Sequence, residues 1–395
     1  MGSGMDKELQ FDAIRLPPEC RELRQQVRQF LAEEIARGTF DPHASGDDAY
    51  SEEFSRKVGA RGWIGMTWPK QYGGGERSYL DRLIVTEELL LAGAPVAAHW
   101  FGDRQIGPAL LAHGTEQQKL ELVPRIARAE ISFCAGMSEP NAGSDLAALA
   151  TRADLEGDEF VIRGQKIWTS FATQADYCYL VARTNPSAPR HKGISELLIS
   201  MRTPGITVRP IRDMVGESHF GELFFDEVRV PKSALIGQLD HGFYQIMQQL
   251  DFERSGIERL VSNAPLWRAA LAHARASGMT ARDSALRNRL AELEIAWRAG
   301  RGLIYRVAEM LSQGRVPNHE AAVAKTFCTS LEQRITDAVS QIYGPDAALD
   351  ASDPRAPLAG RAARTLLYAP AYTIQGGTNN ILRNIIATRG LGLPG

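Results

Sequence analysis

Asp251, Glu253 and Arg254 stand together in Leu250-Asp-Phe-Glu-Arg254, two carboxylates and a guanidinium that are able to move a proton or hold an anion. On their own, Glu253 reads as a solvated helix-face residue paired with a cation one turn away, and Arg254 as an ion-pair partner of Asp251 or Glu258. Other chemistries lack their signatures. Cys20, Cys134, Cys178 and Cys328 form no Cys-x-x-Cys pair, which argues against a disulfide framework and against structural zinc. The histidines include no His-Glu-x-x-His, and no metal site is expected. Gly73-Gly74-Gly75 lacks the Lys-Ser/Thr of a phosphate loop and reads as a turn, and no Gly-x-Gly-x-x-Gly follows a strand. Trp168 and Ser170 read by themselves as a core aromatic on a strand and a turn hydroxyl.

The elements that must position these residues come in blocks. From about residue 19 to 130 the pattern is helical: Leu23, Val27, Phe30, Leu31 and Ile35 recur at three- and four-residue spacing, with Gly38 as C-terminal cap. A second helix is predicted over Asp81 to Leu91, and Thr115-Glu-Gln-Gln118 has the form of a capping box. From 131 to about 235 the segments are short, β-branched and aromatic. Strands are predicted at Glu159 to Arg163, Gln165 to Trp168, Tyr177 to Ala182, Ser195 to Met201, Thr207 to Pro210 and Glu222 to Phe225, with turns at Gly157-Asp158 and Pro204-Gly205. Helices return at 242–275, 282–313, 319–343, 357–370 and 378–389. The expectation is an α+β chain: a helical domain over 5–130, a β domain over 131–235 and a helical bundle over 236–395.

The 395 residues carry 45 Lys and Arg against 47 Asp and Glu, which gives no electrostatic reason for a nucleic-acid or anionic-membrane partner. The longest low-polarity run, Leu89 to Ala98, is broken by Gly93 and Pro95 and is about half the ~20 residues of a membrane helix, so no span is expected. The amino terminus lacks the basic and apolar regions of a signal peptide, and a cytoplasmic setting is expected.

Three passages together resemble the flavin-dependent acyl-CoA dehydrogenase family: Met137-Ser-Glu-Pro-Asn-Ala-Gly-Ser-Asp145, Gly164-Gln-Lys-Ile-Trp-Thr-Ser170 and Gly376-Gly-Thr-Asn-Asn-Ile381. Weaker similarity, such as Trp68-Pro-Lys-Gln-Tyr-Gly-Gly74, extends over nearly the whole chain. The resemblance implies a helical domain, a β-barrel or sandwich, and a carboxyl-terminal four-helix bundle, with FAD between the last two. It implies that Met137, Ser138, Trp168, Thr169 and Ser170 surround the isoalloxazine. Gly377, Thr378 and Asn380 at a helix start would suit the pyrophosphate, since free backbone donors and the helix dipole favour anions. Arg282, Gln341 and Gly344 are carried over for the adenine end, which relatives hold partly from a neighbouring subunit. Here Pro345 replaces the second glycine of that segment, and the expected Arg-x-x-Phe-Gly is reduced to Arg282.

The implied reaction removes the α-proton of an acyl-CoA thioester while the β-hydrogen leaves as hydride to the flavin. Many relatives place the base directly before Gly-Thr in the last motif, where this chain has Gly376. Others place it on a bundle helix in a Glu-Arg pair, which Glu253 matches. Gly376 would then contribute its backbone N–H to the thioester oxygen, while Asp251, Arg254 and Ser144 would contact the substrate, Ser144 being assigned to the cofactor as well. Chain length would be set by helices near 90–105 and 241–260, with Pro95, His99, Trp100 and Phe101 as wall or core residues. The implied partners are an acyl-CoA, an electron-transfer flavoprotein as acceptor, and further subunits in a homo- or hetero-oligomer, a tetramer by analogy. Two alternatives stay open: a non-catalytic subunit of a mixed assembly, and a flavin oxidase of the same fold.

Overall fold

The computed structural model describes residues 16–42, 49–253 and 257–394, without the side chains of 248–253. It opens with α1 (Pro18–Ala36), whose Cys20, Leu23, Val27, Phe30 and Leu31 form one buried stripe at helical spacing. α2 (Glu52–Ala60) is capped by Ser51, and α3 (Tyr79–Leu91) by a Ser78–Asp81 capping box. α4 (Ala97–Phe101) runs through a π turn over Gly102–Ile106 into α5 (Gly107–His113). α6 (Glu116–Ala127) begins with the Thr115–Gln118 capping box, and Gln118 also donates to the carbonyls of Ser233 and Leu235, tying this block to the strands.

The strands are β1 (Phe133–Gly136), β2 (Arg152–Glu156), β3 (Glu159–Ser170), β4 (Tyr177–Arg183), β5 (Ile194–Ser200), β6 (Ile206–Ile211), β7 (Phe220–Pro231) and β8 (Leu235–Ile236). They form one sheet in the order β6-β7-β3-β2-β4-β5-β8, with β1 parallel to β4. The two strands predicted at 159–163 and 165–168 are one strand. Gly164 does not end it; the register against β7 shifts around Gly164 and again between Lys166 and Thr169, so two β-bulges replace the expected break. β1, β2 and β8 escaped prediction because four-, five- and two-residue strands carry too little alternation to show.

Helices return with α7 (Gly242–Glu253), α8 (Glu258–Val261), α9 (Ala264–Ala276), α10 (Met279–Arg282), α11 (Ser284–Ser312), α12 (His319–Tyr343), α13 (Arg361–Tyr372) and α14 (Asn379–Ile385). Among the described residues the helix predicted over 242–275 falls into three segments, with Asn263 and Pro265 marking the start of α9. α13 starts later than the predicted 357, because Leu358, Ala359 and Gly360 all hold left-handed backbone.

One continuous core joins α1, α2 and α3 to α8, α9, α11 and α12, so the first and last blocks share their interior. Its polar pin is Glu87 on α3, fully buried, which accepts from Arg24 of α1 and from Arg301 and Tyr305 of α11. A second core, around Trp68, Phe133, Tyr179 and Ile246, locks the sheet to α5, α6 and α7. Trp68 lies there between glycines: a Cβ on Gly107 would sit 2.2 Å from its ring and one on Gly74 2.2 Å from its carbonyl oxygen. The Trp68-to-Gly74 motif is thus a packing device, and Gly73 turns the chain at φ 83°. Among the described residues no helix is long and apolar enough to cross a membrane, and no group of His, Cys, Asp and Glu is arranged to hold a metal.

Candidate active site

On the sheet side, the bulge between Lys166 and Thr169 places Trp168 at φ 58°, which turns its indole out of the strand and leaves it 56% exposed. Thr169 is fully buried, and its hydroxyl has no hydrogen-bond partner among the described residues. The Met137–Glu139 segment lies alongside, since the Ile167 N–H donates to the Ser138 carbonyl at 2.9 Å. Lys166, fully buried, holds the two together: its Nζ donates to the Met137 carbonyl at 3.0 Å and to Glu139 Oε1 at 2.8 Å. Glu139 also accepts from the N–H groups of Ala150 and Thr151 at 2.6 and 2.9 Å. Burial pushes its pKa up, but Lys166 and these donors outweigh it and hold the carboxyl below its ordinary range. Met137, Ser138, Trp168, Thr169 and Ser170 are thereby brought to one place.

On the bundle side, α13 ends in a loop, Gln375-Gly376-Gly377, that leads into α14. Gly376 and Gly377 take φ of 61° and 90° in succession. Their carbonyls and that of Gln375 turn inward to Lys325 of α12, a fully buried residue whose Nζ lies 2.5 Å from the Gln375 oxygen, 3.0 Å from the Gly376 oxygen and against the Gly377 oxygen. Thr378 caps α14 by accepting from the Ile381 N–H, and Asn379 is anchored to Thr329 and Ser330 of α12. Asn380 is exposed and accepts from Arg383.

A chain of contacts joins the two sides. Trp168 meets Phe220 edge-on at 5.9 Å, Phe220 meets His219 at 3.9 Å, His219 faces Tyr368 of α13 at 5.8 Å, and the Tyr368 hydroxyl donates to the Gln375 side chain at 3.3 Å. Arg364 of α13 clasps Glu217 beside it with two bonds of 2.9 and 2.8 Å. The two motif regions are therefore linked across the junction of sheet and bundle. An indole face turned outward and a buried hydroxyl without a partner suit a planar, hydrogen-bonding heterocycle, so these residues fit a flavin.

The remaining predicted residues lie elsewhere or beyond description. Ser144 is exposed next to Asp145, which pairs with Arg190 at 2.5 Å. Arg282 is exposed and donates to the Ser277 carbonyl, Gln341 accepts from Arg289, and Gly344 turns the chain after α12 at φ 58°. No described contact ties these three to the Trp168 region of the same chain. Asp251 and Glu253 end α7 with side chains outside the described residues, and Arg254 lies outside them altogether. His99 is buried against Ser55 at 2.8 Å, and Trp100 lies under the Arg104 guanidinium at 4.2 Å.

Lys166, Glu139, Lys325, His219 and Tyr368 were not among the expected site residues. The two lysines did leave a signal. Lys325 falls on the face of α12 that carries Ala321, Ala322 and Cys328, and a charge at a core position must have partners there. Lys166 likewise stands at an inward strand position. His219 and Tyr368 carried no signal, because their meeting depends on how sheet and bundle dock.

Comparison with known proteins gives three family matches in chain order: the acyl-CoA dehydrogenase N-terminal domain over residues 17–130, its middle domain over 134–228 and its C-terminal domain over 240–391. The chain is 34% identical to acyl-CoA dehydrogenase IpdE1 of Mycobacterium tuberculosis over 95% of its own length and 98% of that protein's. It is 33% identical to acyl-CoA dehydrogenase FadE26 of the same organism, covering 96% and 98%. Among solved structures, the Tcur3481-Tcur3483 steroid ACAD superposes with a TM-score of 0.88 at 32% identity, covering 97% of this chain and 100% of that one.

Proposed function

The chain belongs to the acyl-CoA dehydrogenase family and is an oxidoreductase acting on acyl-CoA, and from that premise we propose that Glu253 removes the α-proton of a bulky, steroid-type acyl thioester to give a trans-2-enoyl-CoA. The substrate class is suggested by the steroid ACAD to which the chain is similar. FAD held at this site would supply the acceptor for the β-hydrogen, which leaves as hydride. Met137, Ser138 and Trp168 to Ser170 would hold its ring system, and Gly377, Thr378 and Asn380 its pyrophosphate.

The observation that supports this reading is the chain of contacts, through Phe220, His219 and Tyr368, that links the Trp168 bulge to the Gly376 loop. In the loop, the peptide units are trans, and each N–H points opposite to the carbonyl of the same plane. With the carbonyls of 375, 376 and 377 drawn to Lys325, the N–H groups of 376, 377 and 378 are directed away from it. A thioester oxygen meeting the Gly376 N–H gains a fixed donor as it takes on enolate charge. The carboxylate of Glu253, the last residue of α7, takes the proton. Ser144, Asp251 and Arg254 would contact the CoA portion, an electron-transfer flavoprotein would take the electrons, and the setting would be cytoplasmic, which four free, buried cysteines suit.

Arg282, Gln341 and Gly344 sit apart from the Trp168 region of their own chain, which favours an oligomer in which a neighbouring subunit supplies the adenine contacts. The similar ChsE4-ChsE5 complex from Mycobacterium tuberculosis, at a TM-score of 0.84 and 32% identity, is built from two kinds of chain. A mixed assembly is therefore the second reading, with this chain as either the base-carrying or the structural subunit.

The test is the visible spectrum of the purified chain, recorded anaerobically with a panel of acyl-CoAs for wild type and Glu253→Gln. Bleaching of the flavin band in wild type only, with thioester binding kept in the variant, is the expected result. Equal bleaching in both would remove Glu253 as the base. A colourless chain that gains flavin only with a co-expressed partner would favour the structural subunit, and rapid air reoxidation after bleaching would favour the oxidase.

A further inference from the structure

We propose that Lys325 is a positioning residue for thioester activation, holding the 375–377 loop so that its N–H groups form a ready anion site. This rests on the reaction proposed above. An ammonium group has three N–H bonds, and here the three carbonyls of consecutive residues, Gln375, Gly376 and Gly377, converge on Nζ. Two successive positive φ angles, at Gly376 and Gly377, are what allow neighbouring carbonyls to point the same way. The planar trans peptide then fixes the other side: every carbonyl that faces Lys325 sends its paired N–H outward. Among the described backbone hydrogen bonds none is donated by the N–H of Gly376, Gly377 or Thr378, whereas the next one, from Asn379, is taken by the Thr373 carbonyl at 2.9 Å. Three adjacent donors are thus left open, that of Gly376 toward the thioester oxygen and those of Gly377 and Thr378 toward the pyrophosphate assigned to them above.

Lys325 also acts electrostatically. A cation that pulls on a carbonyl polarises the whole peptide and strengthens its N–H as a donor, and in a buried setting this polarisation is weakly screened. In the reacting complex the α C–H bond breaks, its proton goes to Glu253, and its electron pair moves toward the thioester oxygen. Lys325 touches none of these atoms; it sets the direction and strength of the donors that receive the charge.

The experiment uses the flavin-loaded protein and a 3-thia-acyl-CoA, whose α-proton can leave but whose β-position, being sulfur, has no hydrogen to give. Its anion beside an oxidised flavin produces a long-wavelength absorbance, and the pH midpoint of that band reports how well the site stabilises enolate charge. Relative to wild type, Lys325→Met is expected to raise the midpoint by about one unit or more and to lower kcat by about 100-fold, with flavin content retained. Lys325→Arg, which keeps the charge but not the three-carbonyl fit, is expected to fall between the two.

An unchanged midpoint in a flavin-replete Lys325→Met would overturn the role. A wild type that forms no such band would overturn the reaction itself, and this inference with it. If the Lys325 variants do not fold, amide exchange in flavin-loaded wild type decides: slowing at Gly376 when the analogue binds supports the donor site, and unchanged exchange there refutes it.

Discussion

Lys166 and Glu139 meet 2.8 Å apart in the interior of the sheet, a buried ion pair that closes the Met137–Glu139 segment onto the strand bearing Trp168. Lys166 satisfies a carbonyl as well as the carboxylate, and Glu139 collects two backbone N–H groups. Both ends are buried and hydrogen-bonded, so removing either leaves the other desolvated without its charge partner. Lys166→Met is expected to cost about 3–5 kcal/mol in chemical denaturation and to lose bound flavin. The double variant Lys166→Met/Glu139→Leu should recover part of that stability. If the double variant is no more stable than the single one, the pairing is not what the site depends on.

His99 offers a pH-dependent counterpart. Burial lowers its pKa to about 4, against the opposing pull of Asp103 and with the help of Arg104. An unfolded chain takes up this proton near pH 6.5, so the unfolded state binds more protons between those values. Stability from this residue is complete above about pH 6.5 and declines by roughly 3 kcal/mol as the pH falls to 4. Urea midpoints at pH 7, 6 and 5 should fall for wild type and fall less for His99→Gln. Parallel declines in the two proteins would exclude His99 as the cause.

Gly107 is predicted to tolerate no side chain. A methyl there would stand 2.2 and 2.3 Å from Trp68 ring atoms, and Gly65 closes on the same ring from another side. Gly107→Ala should cost about 1–3 kcal/mol, and a Gly107→Ala/Trp68→Phe double variant should regain some of it. An unaltered melting temperature for the single variant would mean that the ring has room to move.

Trp168 is expected to separate cofactor retention from stability. Its indole is more than half exposed and meets Phe220 edge-on, so little core packing depends on it. Trp168→Ala should leave the denaturation midpoint within about 0.5 kcal/mol of wild type while weakening flavin about tenfold, as measured by dialysis against apoprotein. Undiminished flavin content would place the ring system elsewhere.

The order of helices, strands and helices was legible because long stripes, such as Leu23 to Ile35 on α1, repeat often enough to define a period. The ends of α12 matched the predicted 319–343 for the same reason. What did not show was shape produced by a single residue. Nothing local announces that Lys166 to Thr169 will bulge, since the register belongs to the partner strand β7 as much as to β3. The glycines of the 375–377 loop were visible, but the ammonium that orders them comes from Lys325, 50 residues earlier than Gln375, on another helix. Ser138, Trp168 and Gly376 could be named from motifs; the His219–Tyr368 contact that brings their neighbourhoods together could not.

The bulge at Trp168 also makes the protein report on itself optically. Of its six tryptophans, Trp63, Trp68 and Trp267 are buried, Trp100 and Trp297 are partly covered, and Trp168 is the one largely in water. Its emission should be the reddest component of the intrinsic fluorescence. A yellow chromophore at this site would quench that component by energy transfer while leaving the blue emission of the packed indoles in place. The ratio of the two colours would then count filled sites in a mixed population of molecules, with no label added and no turnover required.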